Sequence, residues 1–389
     1  PELDLPIGTV ASRGDGARDA SAPPPESYTE LDLDEVRGLD WEEVEALPAE
    51  ERHEPTEREL EILAMLWRCR VLFARQVHRR WWPRSTLRAA QQGLQRMARA
   101  GWVRPGRFAM RQRGSQQRMY VLTQAGFELA QQRMGRHGAY IDPELEWREP
   151  QLNDPRRLLR DLHVNGWVLA LEGLAGRAFA NWRGPREAKL SPPRRRVRGE
   201  WLDLRPEDVT VGASRRVDGL APGPFEAVVP GAAVELRLRV EGEPLRLDLL
   251  VDFERGRGGA AREAKLRRYD GLLTGWARML DRYQLLGHPP IVVLVAEDEA
   301  AALSIVRLAD RLLTGRLAKA GESEAEWPYP ARRALFVACE RDIHMGSLAA
   351  YQLPELPPEQ RERIDGRGAR AVRPRRVELI ESRLLGERR

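Results

Sequence analysis

Between Ile62 and Phe127 the chain carries fourteen arginines and not one aspartate or glutamate. A solvated protein face normally mixes both signs, and a long field of one sign repels itself in any compact fold. Such a stretch implies a polyanionic partner, and nucleic acid fits it best. An acidic membrane surface and a protein-docking module are the alternatives. The abundance of arginine says less than its distribution. Lys189, Lys265 and Lys319 are the three lysines among 64 basic residues, a bias that GC-rich coding produces unaided.

The flanking charge is opposite. Residues 1–54 hold 16 acids against four arginines and include the run from Ser21 to Pro25. This acidic N-terminal segment reads as largely disordered, with a short acidic helix between Leu31 and Leu47. Net −12 beside net +14 suggests that residues 29–54 shield the basic stretch until DNA or a partner displaces them; a solubilising tail is the plainer reading. At 389 residues, 42% hydrophobic and 32% charged, the chain suits two or three globular domains. No apolar run spans a membrane; the longest, Val164 to Ala175, is interrupted by Glu172. Cys69 and Cys339 lie in separate apolar runs, so no disulfide is expected and the setting reads as cytoplasmic. The six histidines are scattered without zinc spacing, and no phosphate-binding glycine loop occurs.

Residues 55–150 read as one domain. Thr56 and Glu59 have capping-box spacing for a helix bearing Leu60, Leu63, Ala64 and Trp67. A second helix runs from Phe73 to Trp82 and breaks at Pro83. A third starts with Ser85 as its cap and stops at Gly101. Its apolar face is Leu87, Ala90, Leu94, Met97 and Ala98, while Arg88, Gln92, Gln95 and Arg99 form the opposite face. Strand-like runs at 101–104 and 118–123 follow, around a turn at 114–117. Helix, helix, helix and a two-stranded wing make a winged helix-turn-helix. Arg84, Ser85, Arg88 and Gln92 would lie nearest the bases, since arginine reads guanine and glutamine reads adenine. Arg104, Arg107, Arg111, Arg113 and Arg118 would touch phosphates or the minor groove. Each alone could be a solvated arginine; the set is harder to explain that way.

Residues 151–345 read as an α/β domain, with a basic C-terminal extension over 346–389 that forms either a tail or a helix from Val377 to Leu385. Asn153-Asp154-Pro155 looks like a helix start. Alternation over 232–240 and 245–254 predicts a β-hairpin whose polar face carries Asp248, Asp252 and Glu254, most simply toward solvent. A helix from about Ala260 to Leu286, a strand at 291–296, a helix at 298–315 and a strand at 334–339 complete an α/β sheet with covering helices.

Across roughly residues 55–320 the chain resembles the replication-relaxation family of plasmids and integrative elements. The resemblance is carried by Thr56 and Glu59 through Trp67, by Gly101-Trp102-Val103, and by the run from Tyr120 to Gly126. It continues in His163-Val164-Asn165, Trp182, Val229-Pro230-Gly231-Ala232, Leu250 to Gly256 and Lys265 to Tyr269, and ends in the strand from Pro290 to Ala296. It implies a second domain of restriction-endonuclease-like fold, whose active members place two carboxylates and a lysine around Mg²⁺. Here the first acidic position is Gly231, the second reads Asp252-x-Glu254, and Lys265 is present. Arg186 to Leu190 repeats the letters Glu-Ala-Lys, so Glu263-Ala264-Lys265 alone carries little.

Three readings follow. The first is a protein of a mobile element that binds double-stranded DNA in replication or mobilisation, without cofactor and without cleavage. The second is a Mg²⁺-dependent nuclease with Asp252, Glu254 and Lys265 as catalytic residues and the two acids as metal ligands. The third is an assembly protein that docks replication, mobilisation or other partners through the nuclease-like fold and the acidic tail. A homodimer remains open, because winged helices often bind as dimers.

Overall fold

The computed structural model describes residues 8–9, 36–110, 118–135, 141–149, 152–191, 194–197, 200–203, 226–240, 243–255, 259–274, 277, 280–284, 289–313, 330–354 and 374–380. The chain is mixed α/β. Its contacts divide it into two units, Tyr28–Leu169 with Arg183–Glu187, and Pro1–Ser27 with Ala170–Trp182 and Ala188–Arg389.

In chain order the elements are β1 (Gly8–Thr9), β2 (Val36–Trp41), α1 (Glu57–Cys69), β3 (Val71–Phe73), α2 (Ala74–Trp81), α3 (Leu87–Arg99), β4 (Val103–Met110), β5 (Met119–Leu122), α4 (Gln124–Gln132) and α5 (Pro155–Ala175). Next come β6 (Phe179–Arg183), β7 (Arg194–Val197), β8 (Glu200–Asp203), β9 (Ala232–Val240), β10 (Glu243–Glu254), α6 (Ala260–Thr274) and α7 (Asp281–Gln284). The last are β11 (Ile291–Ala296), α8 (Glu299–Leu312), α9 (Pro330–Ala334), β12 (Leu335–Cys339), α10 (Glu340–His344), β13 (Ala349–Gln352) and β14 (Arg375–Glu378).

In the first unit α1 begins with the capping box that Thr56 and Glu59 predict. Thr56 Oγ1 accepts the Glu59 amide at 3.3 Å, and Glu59 Oε2 accepts the Thr56 amide at 2.8 Å. The start of α3 lies one residue beyond expectation. The Ser85 amide donates to Trp82 O at 3.0 Å and so closes the turn made by Pro83 and Arg84. Thr86 therefore becomes the cap, its Oγ1 accepting the Ala89 amide at 3.3 Å, and Ser85 stays exposed before the helix. Gly101, with φ +77°, ends α3, and the Trp102 amide returns to Met97 O at 3.0 Å, the closure that favours glycine there.

Within the stretch from Leu31 to Leu47 expected to be an acidic helix, Val36–Trp41 form the strand β2, and residues 31–35 lie outside the described residues. β2 pairs antiparallel with β4, Leu39 opposite Phe108 and Trp41 opposite Gly106, in a sheet ordered β2-β4-β5-β3. Val36, Leu39 and Trp41 pack on a core of Phe73, Phe108, Val121, Leu158 and Leu162. A short isolated helix gains little in water, so apolar burial decides the conformation. Gly106 leaves room for the Trp41 ring: a Cβ would lie 2.5 Å from it, and the ring would have to shift.

The first part of α5 belongs to this unit. Asp154 Oδ1 caps it by accepting the Arg156 and Arg157 amides at 3.0 and 3.2 Å. Its buried polar side chains grip the corner where α1 turns into β3. Arg70 sits there at φ +68°, a positive value that arginine rarely adopts. Asn165 Nδ2 donates to Cys69 O at 3.0 Å and Val71 O at 2.7 Å, on either side of that residue. Arg70 Nη1 donates to Asp161 Oδ2 at 2.8 Å, and Gln76 Nε2 to Leu162 O at 2.8 Å.

In the second unit eight described strands form one sheet, ordered β1-β14-β13-β12-β11-β10-β9-β6. β10, β11 and β12 run parallel, and their described neighbours pair antiparallel. The parallel centre explains the unbroken apolar run of β11, which is buried at every residue. α6 and α8 cover one face through Leu266, Tyr269, Leu272, Ile305, Val306 and Ala309. The stretch read as a C-terminal extension contributes β13 and β14 to this sheet. Val377, expected to begin a helix, pairs with Ala350 and is buried, which fixes it in a strand.

Asp161→Ala would leave the Arg70 charge buried without its carboxylate, and should cost about 3–5 kcal/mol in urea unfolding. Arg70→Met added to it should recover most of the loss. If the double variant were no more stable than Asp161→Ala, the ion pair would not be what holds this corner.

Candidate nucleic-acid interface

α3 separates two chemistries by spacing alone. Ala90, Gly93, Leu94, Met97 and Ala98 are buried. Arg84 and Ser85 before the helix, and Arg88, Gln92 and Arg99 along it, are exposed. Gln95, predicted on the same stripe, is half-buried. Arg84, Arg88 and Arg99 make no ion pair among the described residues. One flank of the helix is shaped by Gly93, where a Cβ would lie 2.9 Å from the Trp82 ring. The Arg58 guanidinium stacks over that ring at 4.9 Å.

Other arginines of the acid-free stretch are neutralised by carboxylates from outside it. Arg80 pairs with Glu61 at 3.3 Å, and Arg70 with Asp161. Arg96 Nη2 donates to Glu59 Oε1 at 2.8 Å, and His53 Nε2 lies 3.2 Å from the same oxygen. Burial alone would raise the Glu59 pKa, but hydrogen bonds from Thr56 and Arg96 outweigh it and hold the carboxyl below its ordinary value. On the β4–β5 hairpin, Arg107 and Arg118 both bind Glu42, and Arg104, exposed, has its guanidinium 5.3 Å from the Trp41 ring centre. Arg111 and Arg113 lie outside the described residues.

The second unit gathers the other predicted residues. Asp252 and Glu254 are not on a solvated face. β10 runs between β9 and β11, and α6 covers the face they share with Leu250, so Asp252 is 1% exposed and Glu254 7%. Lys265 on α6 reaches down between them: its Nζ is 3.0 Å from Asp252 Oδ2 and also bonds Glu254 Oε1. Arg262 Nε donates to Glu254 Oε2 at 3.4 Å, and Tyr269, buried as a packing residue should be, points its hydroxyl at Asp252 Oδ2, 3.4 Å away. Two carboxylates thus face two cations, leaving no net negative charge to draw a divalent ion. The Lys265 ammonium occupies both acids, and Gly231 has no side chain to supply a third carboxylate. Among the described residues no group of three or more His, Cys, Asp and Glu is arranged to hold a metal. The trio as it stands does not fit Mg²⁺. Asp248, further down the same face, is fully buried and paired with Arg282 and Arg246.

No helix among the described residues is long and apolar enough to cross a membrane. Comparison with protein-family models, curated proteins and solved structures found no match to this chain.

Asp270, next to Tyr269 on α6, is half-buried. Burial raises its pKa from 3.8 to about 6 against the opposing pull of Arg332. The folded protein then keeps a proton that the unfolded chain has lost. Stability should therefore fall as pH climbs from 3.8 to about 6 and stay lower above it. Asp270→Asn should flatten that part of the calorimetric Tm-against-pH curve; an unchanged slope would assign it to another group.

Proposed function

We propose that the first unit is a winged helix that binds duplex DNA, with α3 entering the major groove. The observation that carries this reading is the exposed row of Arg84, Ser85, Arg88, Gln92 and Arg99. Its cations have no ion pair among the described residues, while the opposite face of α3 is buried. Arg88 and Gln92 are one helical turn apart and are side chains able to read guanine and adenine edges. The β4–β5 hairpin then acts as the wing. In this reading the second unit is a restriction-endonuclease-like domain that serves as a scaffold, and the protein acts in replication or mobilisation of a mobile element of the replication-relaxation kind.

Arg88→Ala should weaken binding to a preferred duplex by roughly 1–3 kcal/mol and narrow the difference between preferred and random DNA. Equal loss on every sequence, read by fluorescence anisotropy, would make Arg88 a phosphate contact instead.

A metal-dependent nuclease is the second reading. In its favour is the meeting of Asp252, Glu254 and Lys265 from two elements of the second unit. Supercoiled plasmid incubated with the protein in EDTA, Mg²⁺ or Mn²⁺ separates the two. Shifted but intact DNA under every condition is the expected outcome. Nicking that needs metal and disappears with Lys265→Ala would establish the nuclease, and the absence of any shift at low salt would overturn the DNA-binding reading.

A further inference from the structure

Glu42 stands directly after β2, and its backbone leaves it little choice of position. Its amide donates to Pro105 O at 3.1 Å, and the preceding Trp41 is seated over Gly106. Its carboxylate is thereby delivered to two arginines of the hairpin. The ladder ends with Gly106 opposite Met119, and Arg107 and Arg118 are the residues next beyond that pair. Glu42 Oε1 accepts from Arg107 Nε at 2.9 Å and Arg118 Nε at 3.0 Å, and Oε2 lies 3.0 Å from Arg118 Nη2. Two oxygens on one atom, both met by guanidinium donors, are the pattern that the non-bridging oxygens of a phosphodiester offer.

The charges are unequal. One carboxylate serves two guanidiniums. None of the group is closed off: the side chains of Arg107, Arg118 and Glu42 are 37%, 33% and 23% exposed. Ion pairs this open are weak and exchange readily for a better anion. A strand-closing salt bridge would need one arginine; a second adds positive charge that a single carboxylate cannot balance.

We propose that Arg107 and Arg118 form a phosphodiester-binding site on the hairpin, which Glu42 fills with its own carboxylate until nucleic acid displaces it. This rests on the DNA-binding reading and adds to it a named competitor within the chain. Every encounter with DNA then has to release Glu42, which lowers affinity for random duplex and leaves the α3 contacts to decide where the protein stays. The displaced carboxylate remains tethered beside the site and speeds dissociation from DNA that α3 does not read.

The test uses the full chain and a short random-sequence duplex, with binding followed by anisotropy across a salt series. Glu42→Gln should bind roughly threefold to tenfold tighter at low salt. Its log–log salt dependence should be steeper by about one unit, because one more phosphate is neutralised without a competing carboxylate. Glu43→Gln makes the same change in net charge at the neighbouring exposed residue and should stay within about twofold of the unmodified protein. Arg118→Ala added to Glu42→Gln should abolish the gain. Should Glu42→Gln prove unstable in a thermal melt, Glu42→Asp keeps the charge on a shorter side chain and should show a smaller gain of the same sign. A Glu42→Gln protein that binds no tighter than Glu43→Gln, while the unmodified protein binds and Arg88→Ala weakens it, would overturn the competitor and leave the DNA-binding reading standing. Failure of every protein to bind at low salt would overturn both.

Discussion

The first unit depends on one strained corner. Between α1 and β3 the chain passes from helix to strand within a single residue, and that residue is an arginine at positive φ. An arginine held at positive φ costs roughly 1–3 kcal/mol and persists only where its surroundings enforce it. Asn165 does so by taking the carbonyls on both sides, and Asp161 by holding the side chain. Gly184 closes the corner from outside, since a Cβ there would sit 1.5 Å from Arg68 O. With the corner fixed, β3 reaches β5, β5 reaches β4, and the hairpin stands beside α3.

The same unit shows how a one-sided run of charge is accommodated. The arginines of the acid-free stretch that lie against the body of the unit meet Glu42, Glu59, Glu61 and Asp161, all supplied from outside the stretch. Arg84, Arg88 and Arg99, before α3 and along it, stay exposed without an ion pair among the described residues, and Arg79 on α2 and Arg104 on β4 are exposed as well. A field that looked uniform along the sequence is in three dimensions a neutralised flank and an open one, and only the open one is suited to a polyanion at no internal cost.

Much of this was legible beforehand, because local rules carried it. The Thr56–Glu59 box, the glycine stop at Gly101, the apolar stripe of α3 and the alternation of β9 and β10 each depend on neighbours a few residues away. The misses have the opposite character. β2 was hidden because Val36, Leu39 and Trp41 are apolar positions in an acidic setting, and what makes them a strand is β4, more than sixty residues downstream. Asp252 and Glu254 looked solvent-facing because alternation reports a face and says nothing of what covers it; α6 covers this one. Lys265 was singled out by the family resemblance, and it is one of three lysines in this chain. A compact ammonium with three divergent donors suits two carboxylates on one strand better than a flat guanidinium would.

The docking of β2 also changes what the acidic N-terminus is. Cutting the chain after residue 54 would remove more than negative charge. It would strip the outer strand from β4 and leave that strand's amides and carbonyls in a row without partners. Phe108, now 1% exposed, would lose the cover of Leu39. Such an edge is a template for a second chain, so a protein shortened in this way would tend to self-associate. Any larger species it formed would reflect the missing strand and not a native quaternary structure.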